Sequence, residues 1–259
     1  MPLSVYQQDV HPVELVSQYI GSFRKHSVSD LANATMRMTK PEAQQWFSLM
    51  LLASTYLEWG TGGSTIMAAW RSMQSHLPPL QIDTVDSSRQ WFEDLKSRNR
   101  VVAEAEAAGK LRFHLGDLGR TVEWGKPADW GKRPLDLRAS QAESYVGAVN
   151  ASKCCYDLIL VDGRFRVACA LHALRLAHDR TVVIIHDSHR YIAANVPAEL
   201  RDDDTSSGQK AVNAHYHVVL RADSLAVLRP KAHALARARS GDPRFEELLA
   251  KAKHDPLRL

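Results

Sequence analysis

The chain has 259 residues, 45% hydrophobic and 24% charged, with a formal net charge of +4. That is enough to bury the core of one α/β domain with small additions, and the composition is ordinary for a globular protein in water. Residues 231–259 carry seven Lys/Arg against four Asp/Glu, but no basic block is interleaved with aromatic residues, which argues against a nucleic-acid partner. No apolar run reaches the roughly 18 residues of a membrane span and no N-terminal signal segment stands out, so the expectation is a soluble, cytoplasmic protein with no membrane partner. Cys154, Cys155 and Cys169 form no CxxC pattern. Adjacent cysteines rarely bridge each other, so all three read as small buried thiols.

In chain order, residues 1–54 read as a helical segment, with helices over 12–23 and 41–53 that each open on a proline. A strand over 56–59 then runs into Gly60-Thr61-Gly62-Gly63 and a helix over 64–76 that starts at Ser64. Glycine tolerates positive φ and has no Cβ, so such a turn lets backbone approach a ligand, with the helix amides pointing into it. Glu58 is the unusual member, because a phosphate cradle would not normally want a carboxylate there. An ammonium group or ribose hydroxyls would, which points to a nucleoside without a polyphosphate.

Further strands are predicted over 80–86, 111–116, 156–162 and 181–187, with helices over 88–108, 137–149 and 165–178 between them. The strands at 156–162 and 181–187 are continuous apolar runs, as central parallel strands covered on both faces should be. A loop over 119–134 holds Trp124 and Trp130, and one over 202–208 reads as solvated. The runs 215–222 and 225–229 have only Asp223-Ser224 between them, which suits a hairpin and an antiparallel last strand. The whole reads as a doubly wound, mostly parallel seven-stranded α/β sheet with an antiparallel last strand. The tail at 231–259 is basic, with a helix over 243–253.

Ligands on such a sheet bind beyond the carboxyl ends of the strands. All five parallel strands end near an acid: Glu58, Asp86, Asp117, Asp162 and Asp187. Asp86 lies 23 residues after Gly63, suited to ribose hydroxyls. The dinucleotide pattern GxGxxG is broken at Thr65.

Glu58 with Gly60-x-Gly62-Gly63, followed by Asp86, Asp117 and Asp162 after successive strands, resembles the class I S-adenosylmethionine-dependent methyltransferases over roughly residues 50–230. The longer motifs Glu58-Trp59-Gly60-Thr61-Gly62-Gly63-Ser64-Thr65, Glu123-Trp124-Gly125-Lys126-Pro127, Val161-Asp162-Gly163-Arg164-Phe165-Arg166 and Ile185-His186-Asp187 resemble a little-described methyltransferase-like family related to polysaccharide O-methyltransferases. The resemblance implies a Rossmann-like methyltransferase domain over 55–230. Gly60, Gly62, Gly63 and Ser64 would lie at the methionine end of S-adenosylmethionine, with Glu58 near its amino group or ribose. Asp86 would take the ribose hydroxyls, Asp117 and Leu118 would flank the adenine, and Asp162 would order the cofactor.

Asp162 and Asp187 close neighbouring strands, and two carboxylates so placed repel unless a cation or proton sits between them. In the metal-dependent O-methyltransferases the ligands follow these two strands, which implies Mg²⁺ or Mn²⁺ on Asp162 and Asp187, although Ser188 stands where those enzymes typically have Asn. His186 and His189 are candidate bases, His186 also reading as a core histidine. Arg164 and Arg166 read as a clamp on an anionic acceptor, and Trp124 as a platform for a sugar ring. The expected reaction is methyl transfer to a hydroxyl of a carbohydrate or small molecule, by a chain that could form a homo-oligomer. The alternative is a catalytically inactive methyltransferase-like binding or assembly subunit.

Overall fold

Helix α1 (Lys40–Leu52) begins where its own residues supply a cap. The Thr39 side chain accepts the Glu42 amide, the Glu42 carboxylate accepts the Thr39 amide, and a proline stands in the first turn. The computed structural model describes residues 36–150, 155–190, 192 and 206–254, of which 206–210 are described by backbone alone. The helix predicted over 12–23, and residues 202–205 of the second loop, lie outside these.

Among the described residues nine strands follow in chain order: β1 (Thr55–Trp59), β2 (Gln81–Asp86), β3 (Leu111–Leu115), the short β4 (Thr121–Val122) and β5 (Lys126–Pro127), β6 (Tyr156–Val161), β7 (Ala177–Ile185), β8 (Tyr216–Ala222) and β9 (Leu225–Pro230). Seven of them form the sheet, in the spatial order β3-β2-β1-β6-β7-β9-β8. Neighbours are parallel as far as β7, and β9 is antiparallel to both β7 and β8. The order therefore reverses at β1, between β2 and β6, and the crevice opens at the carboxyl ends of those strands.

Strand alternation sorts the core into two layers. On one face Tyr56, Ile82, Leu158, Leu160 and Ile184 meet α1, α2 (Gly63–Ser72) and α4 (Arg100–Ala107), which follows α3 (Arg89–Arg98). On the other, Leu57, Trp59, Ile159, Val161, Val183 and Ile185 meet α5 (Leu135–Val146), α6 (Arg166–Ala173), α8 (Ala232–Ser240) and α9 (Pro243–Ala252). Helix α7 (Ser206–His215) leads into β8.

Several local predictions are revised. The helix expected over 88–108 is two, α3 and α4, broken at Asn99, which is extended (φ −134°) and donates its side-chain amide to the Leu95 carbonyl at 2.9 Å. Helix α6 ends at Ala173, and β7 begins four residues earlier than expected, where Thr181 Oγ1 accepts the His178 amide and donates to the Tyr156 carbonyl. The loop over 119–134 holds the antiparallel pair β4–β5. Cys155 is disulfide-bonded where a reduced thiol was expected, and Cys169 is free and buried.

The basic tail forms α8 and α9. Asp242 caps α9 by accepting the Arg244 and Phe245 amides, and Phe245 and Leu249 are buried in the core that backs α6. No described helix is long and apolar enough to cross a membrane.

Candidate functional site

A cleft of about 1470 Å³ lies over the carboxyl ends of β1, β2, β6 and β7. Its floor is the turn from β1 into α2, and the turn's three glycines have different physical reasons. Gly60 has φ +103°, and a Cβ on it would lie 2.8 Å from the Asp162 carbonyl carbon and 2.9 Å from the Gly163 nitrogen. It is glycine because β1 and β6 close on each other there. A Cβ on Gly63 would meet the Met36 backbone at 2.9 Å. Around Gly62, by contrast, no atom of the other described residues lies within 4 Å of a Cβ position beyond its chain neighbours and its own helix, so the space beside it belongs to the cleft.

Glu58 does not face this space. It is fully buried, on the same strand face as Tyr56. Its carboxylate accepts hydroxyls from Tyr56 (2.9 Å), Ser64 (2.7 Å) and Thr65, while Thr65 Oγ1 accepts the Gly62 amide at 2.9 Å. Glu58 thus ties the glycine turn and the start of α2 to β1, which revises its expected place beside the cofactor. Burial without a cation pushes its carboxyl up to about 7, against the pull of the hydroxyl bonds. Ser64 does line the cleft, but its hydroxyl belongs to Glu58.

Asp86 lines the cleft at the end of β2, accepting the amides of Thr61 (3.2 Å) and Ser87 (2.6 Å). Burial raises its carboxyl above the ordinary range despite these bonds. A carboxylate has about four lone-pair sites, so Asp86 keeps capacity for ligand hydroxyls. Asp117 and Leu118 are elsewhere. Asp117 is exposed in a turn, its carboxylate on the Gly119 amide, and Leu118 is wholly in the core.

At the far end, Asp162 and Asp187 share a cation, and it is Arg166. One guanidinium nitrogen is 3.1 Å from Asp162 Oδ1 and the other 3.0 Å from Asp187 Oδ2. The same side chain donates to the carbonyls of His186 (2.6 Å) and Gly163 (3.1 Å) and is nearly buried. It pins β6 to β7 and is not a clamp on an acceptor. Its guanidinium occupies the position a divalent ion would need, and among the described residues no three His, Cys, Asp or Glu side chains converge as metal ligands. The residues present do not fit the expected metal.

Burial would raise Asp187, but Arg166 and His186 hold it below the usual carboxylate range. Arg166→Lys keeps the charge and loses the fork, and is expected to lower stability by about 2 kcal/mol in urea unfolding. An unchanged midpoint would remove Arg166 as the strand tie.

His186 is buried with both ring nitrogens on carboxylates, Nδ1 at 2.9 Å from Asp162 and Nε2 at 3.4 Å from Glu42. Burial would lower its pKa, but the bond to Asp162 and the charges of Asp162, Asp187 and Glu42 raise it above the ordinary histidine value. With both ring nitrogens taken by carboxylates, this imidazole has neither free to receive an acceptor's proton, which makes it a poor general base. Glu42 also accepts the Ser224 amide (2.8 Å) and hydroxyl (2.6 Å), so α1, the β8–β9 turn and the cleft meet here. His189 is exposed on a short 3-10 turn and is not among the cleft-lining residues.

Arg164 and Trp124 do line the cleft. Trp124 is in the left-handed region (φ 63°), unusual for a bulky residue, and it is 56% exposed, with the Arg37 guanidinium 5.0 Å from its ring. Sequence reasoning missed Trp91, whose indole donates to the Thr61 carbonyl at 2.8 Å, and Tyr145, whose hydroxyl accepts the Arg164 amide at 3.2 Å. It also missed Met36 and Arg190. Trp91 stands five residues after Asp86, a usable signal. Nothing in the sequence around Tyr145 sets it apart.

No protein-family model matches this chain. No curated protein matches it either. Among solved structures it is similar to a methyltransferase-like protein from Silicibacter pomeroyi, with 24% identity, a TM-score of 0.55, and coverage of 79% of this chain and 96% of that one. More distant likenesses are the O-methyltransferase TomG from Streptomyces achromogenes in complex with S-adenosylmethionine (17% identity, TM-score 0.44, 86% and 92% covered) and an O-methyltransferase from Bacillus cereus in complex with S-adenosylhomocysteine (16%, 0.42, 87% and 94%). The first likeness, together with the sheet order and the reversed β9, establishes the fold.

Proposed function

We propose that this chain, which has the Rossmann-like fold of the class I methyltransferases, transfers the methyl group of S-adenosylmethionine to an oxygen of a small-molecule or carbohydrate acceptor. The open space beside Gly62, walled by the helix start and by Asp86, carries this reading, because a Cβ would fill it and the fold itself does not need it empty. Gly62 and Gly63 would hold the methionine end, and Asp86 the ribose. Ser87 and Trp91, next along the wall, take the place expected of Asp117 and Leu118. Bound there, the cofactor supplies an electrophilic sulfonium methyl. The protein positions the acceptor oxygen in line with it, and positioning supplies much of the rate.

Calorimetry with S-adenosylhomocysteine is the test. Micromolar binding is expected, and absence of heat would leave the inactive binding or assembly subunit as the better reading. The Arg166 bridge supports a mechanism without a metal. Transfer should be unchanged in EDTA, and a rate that falls in EDTA and returns with Mg²⁺ or Mn²⁺ would put the ion back.

A further inference from the structure

Tyr145 lines the cleft, and its hydroxyl is more than packing asks for. Its ring belongs to the core beside Phe165, with centroids 6.0 Å apart, and its carbonyl accepts the Trp59 indole at 3.2 Å. A phenylalanine would pack there as well. The hydroxyl reaches under the end of β6, where a Cβ on Gly163 would collide with it and would lie 3.0 Å from the Gly60 nitrogen. Tyr145 is only 2% exposed, and a buried polar group costs stability unless its hydrogen bonds are made. One is made, because the hydroxyl oxygen accepts the Arg164 amide at 3.2 Å. A phenol can also donate. Burial, and after it the charge of Asp86, push the group well above its ordinary range, so it keeps its hydrogen.

Asp86 stands at the same turn. Its carboxylate accepts the amide of Thr61, the neighbour of Gly60, at 3.2 Å, holds the Ser87 amide, and faces the charge of Arg164. Both side chains line the cleft, and among the described contacts they do not bond each other. A donor and a carboxylate that face one space suit a hydroxyl, which can receive from the first and give to the second. An ammonium group has no lone pair for the donor, and an anion has no hydrogen for the carboxylate. We propose that Tyr145 is a ligand contact that reads the cofactor's ribose together with Asp86, one ribose hydroxyl donating to Asp86 and accepting from Tyr145. This rests on the methyltransferase reading above.

The experiment is calorimetry on the full chain, as wild type and as Tyr145→Phe, with S-adenosylhomocysteine and with its 2′-deoxy and 3′-deoxy analogues. The wild type should bind one of the two analogues at least about tenfold more weakly than the intact ligand. Tyr145→Phe should weaken the intact ligand about five- to tenfold, yet cost less than about twofold against that analogue, whose contacting hydroxyl is already gone. A hydroxyl that only steadied the Arg164 amide would weaken every ligand by one factor. That outcome overturns the contact. So does unchanged affinity for the intact ligand, equal binding of all three ligands by the wild type, or a variant that does not fold. Absence of heat from the wild type with intact S-adenosylhomocysteine sinks the methyltransferase reading itself, whereas binding without the coupling sinks only the role of Tyr145.

Discussion

Replacing Gly62 by leucine is expected to lower affinity for S-adenosylhomocysteine at least about a hundredfold while moving the melting temperature by no more than about 4 °C. Gly62 has an extended backbone (φ 180°) that any residue adopts, and its Cβ position is open, so the fold loses only the mild preference for glycine at a helix N-cap, about 1 kcal/mol. The added side chain instead fills the space a ligand would need. The control is Gly60→Ala, two residues away, where the pattern should reverse. Its φ of +103° excludes alanine, and the Cβ would collide with backbone atoms of Asp162 and Gly163 that cannot swing away. A loss of about 4 kcal/mol is expected there, about 8–16 °C in melting temperature. Thermal melts and calorimetry on both variants decide it. If Gly62→Leu binds normally, the open space is not the cofactor's.

Glu58→Gln should change the pH dependence of stability more than any surface carboxyl could. With a folded-state value of about 7 against an ordinary 4.5, Glu58 keeps its proton in the folded chain while the unfolded chain gives it up. The wild type is therefore favoured fully below about pH 4.5 and loses this contribution as pH rises to about 7, on the order of 3 kcal/mol in all. The substituted glutamine does not titrate, and it fits: its carbonyl can accept Tyr56 and Ser64 while its amide donates to Thr65 Oγ1. Urea unfolding at pH 4.5 and pH 8 should show the variant gaining on the wild type by that amount at the higher pH. A difference constant within about 1 kcal/mol would mean that Glu58 ionises as an exposed carboxyl does.

The architecture was legible because it is written in short-range pattern. Continuous apolar runs marked β6 and β7 as central, and a two-residue gap at Asp223-Ser224 forced the hairpin that reverses β9. Helix ends were less legible, since Asn99 breaks a run whose composition suits one long helix, and only its side-chain bond to Leu95 reveals why. At the site, what could be read was which residues stand at strand ends. Which way they face was harder. Period-two alternation already places Glu58 on the same face as Tyr56, in a strand covered on both sides, but an acid after a strand reads more readily as a ligand contact. The bridge from Arg166 to Asp187 joins residues on separate elements, and Glu42 reaches His186 from across the chain. No local spacing encodes such pairs.

Strand β9 is the last of the described strands in the chain and yet lies inside the sheet, between β7 and β8. During synthesis, β7 and the acidic ends it shares with β6 must therefore wait with one edge unpaired until residues 225–230 have emerged. The contact of Glu42 with Ser224 waits as long, and it joins positions 182 residues apart. Contacts of that sequence separation form slowly, and an unpaired apolar strand edge invites association with other chains. A nascent chain halted before Ser224 thus carries the glycine turn and every acidic strand end, but has neither the closing strand nor the anchor of α1 beneath the cleft. The cleft proposed to hold the cofactor is therefore complete only once residues 225–230 have been made and paired.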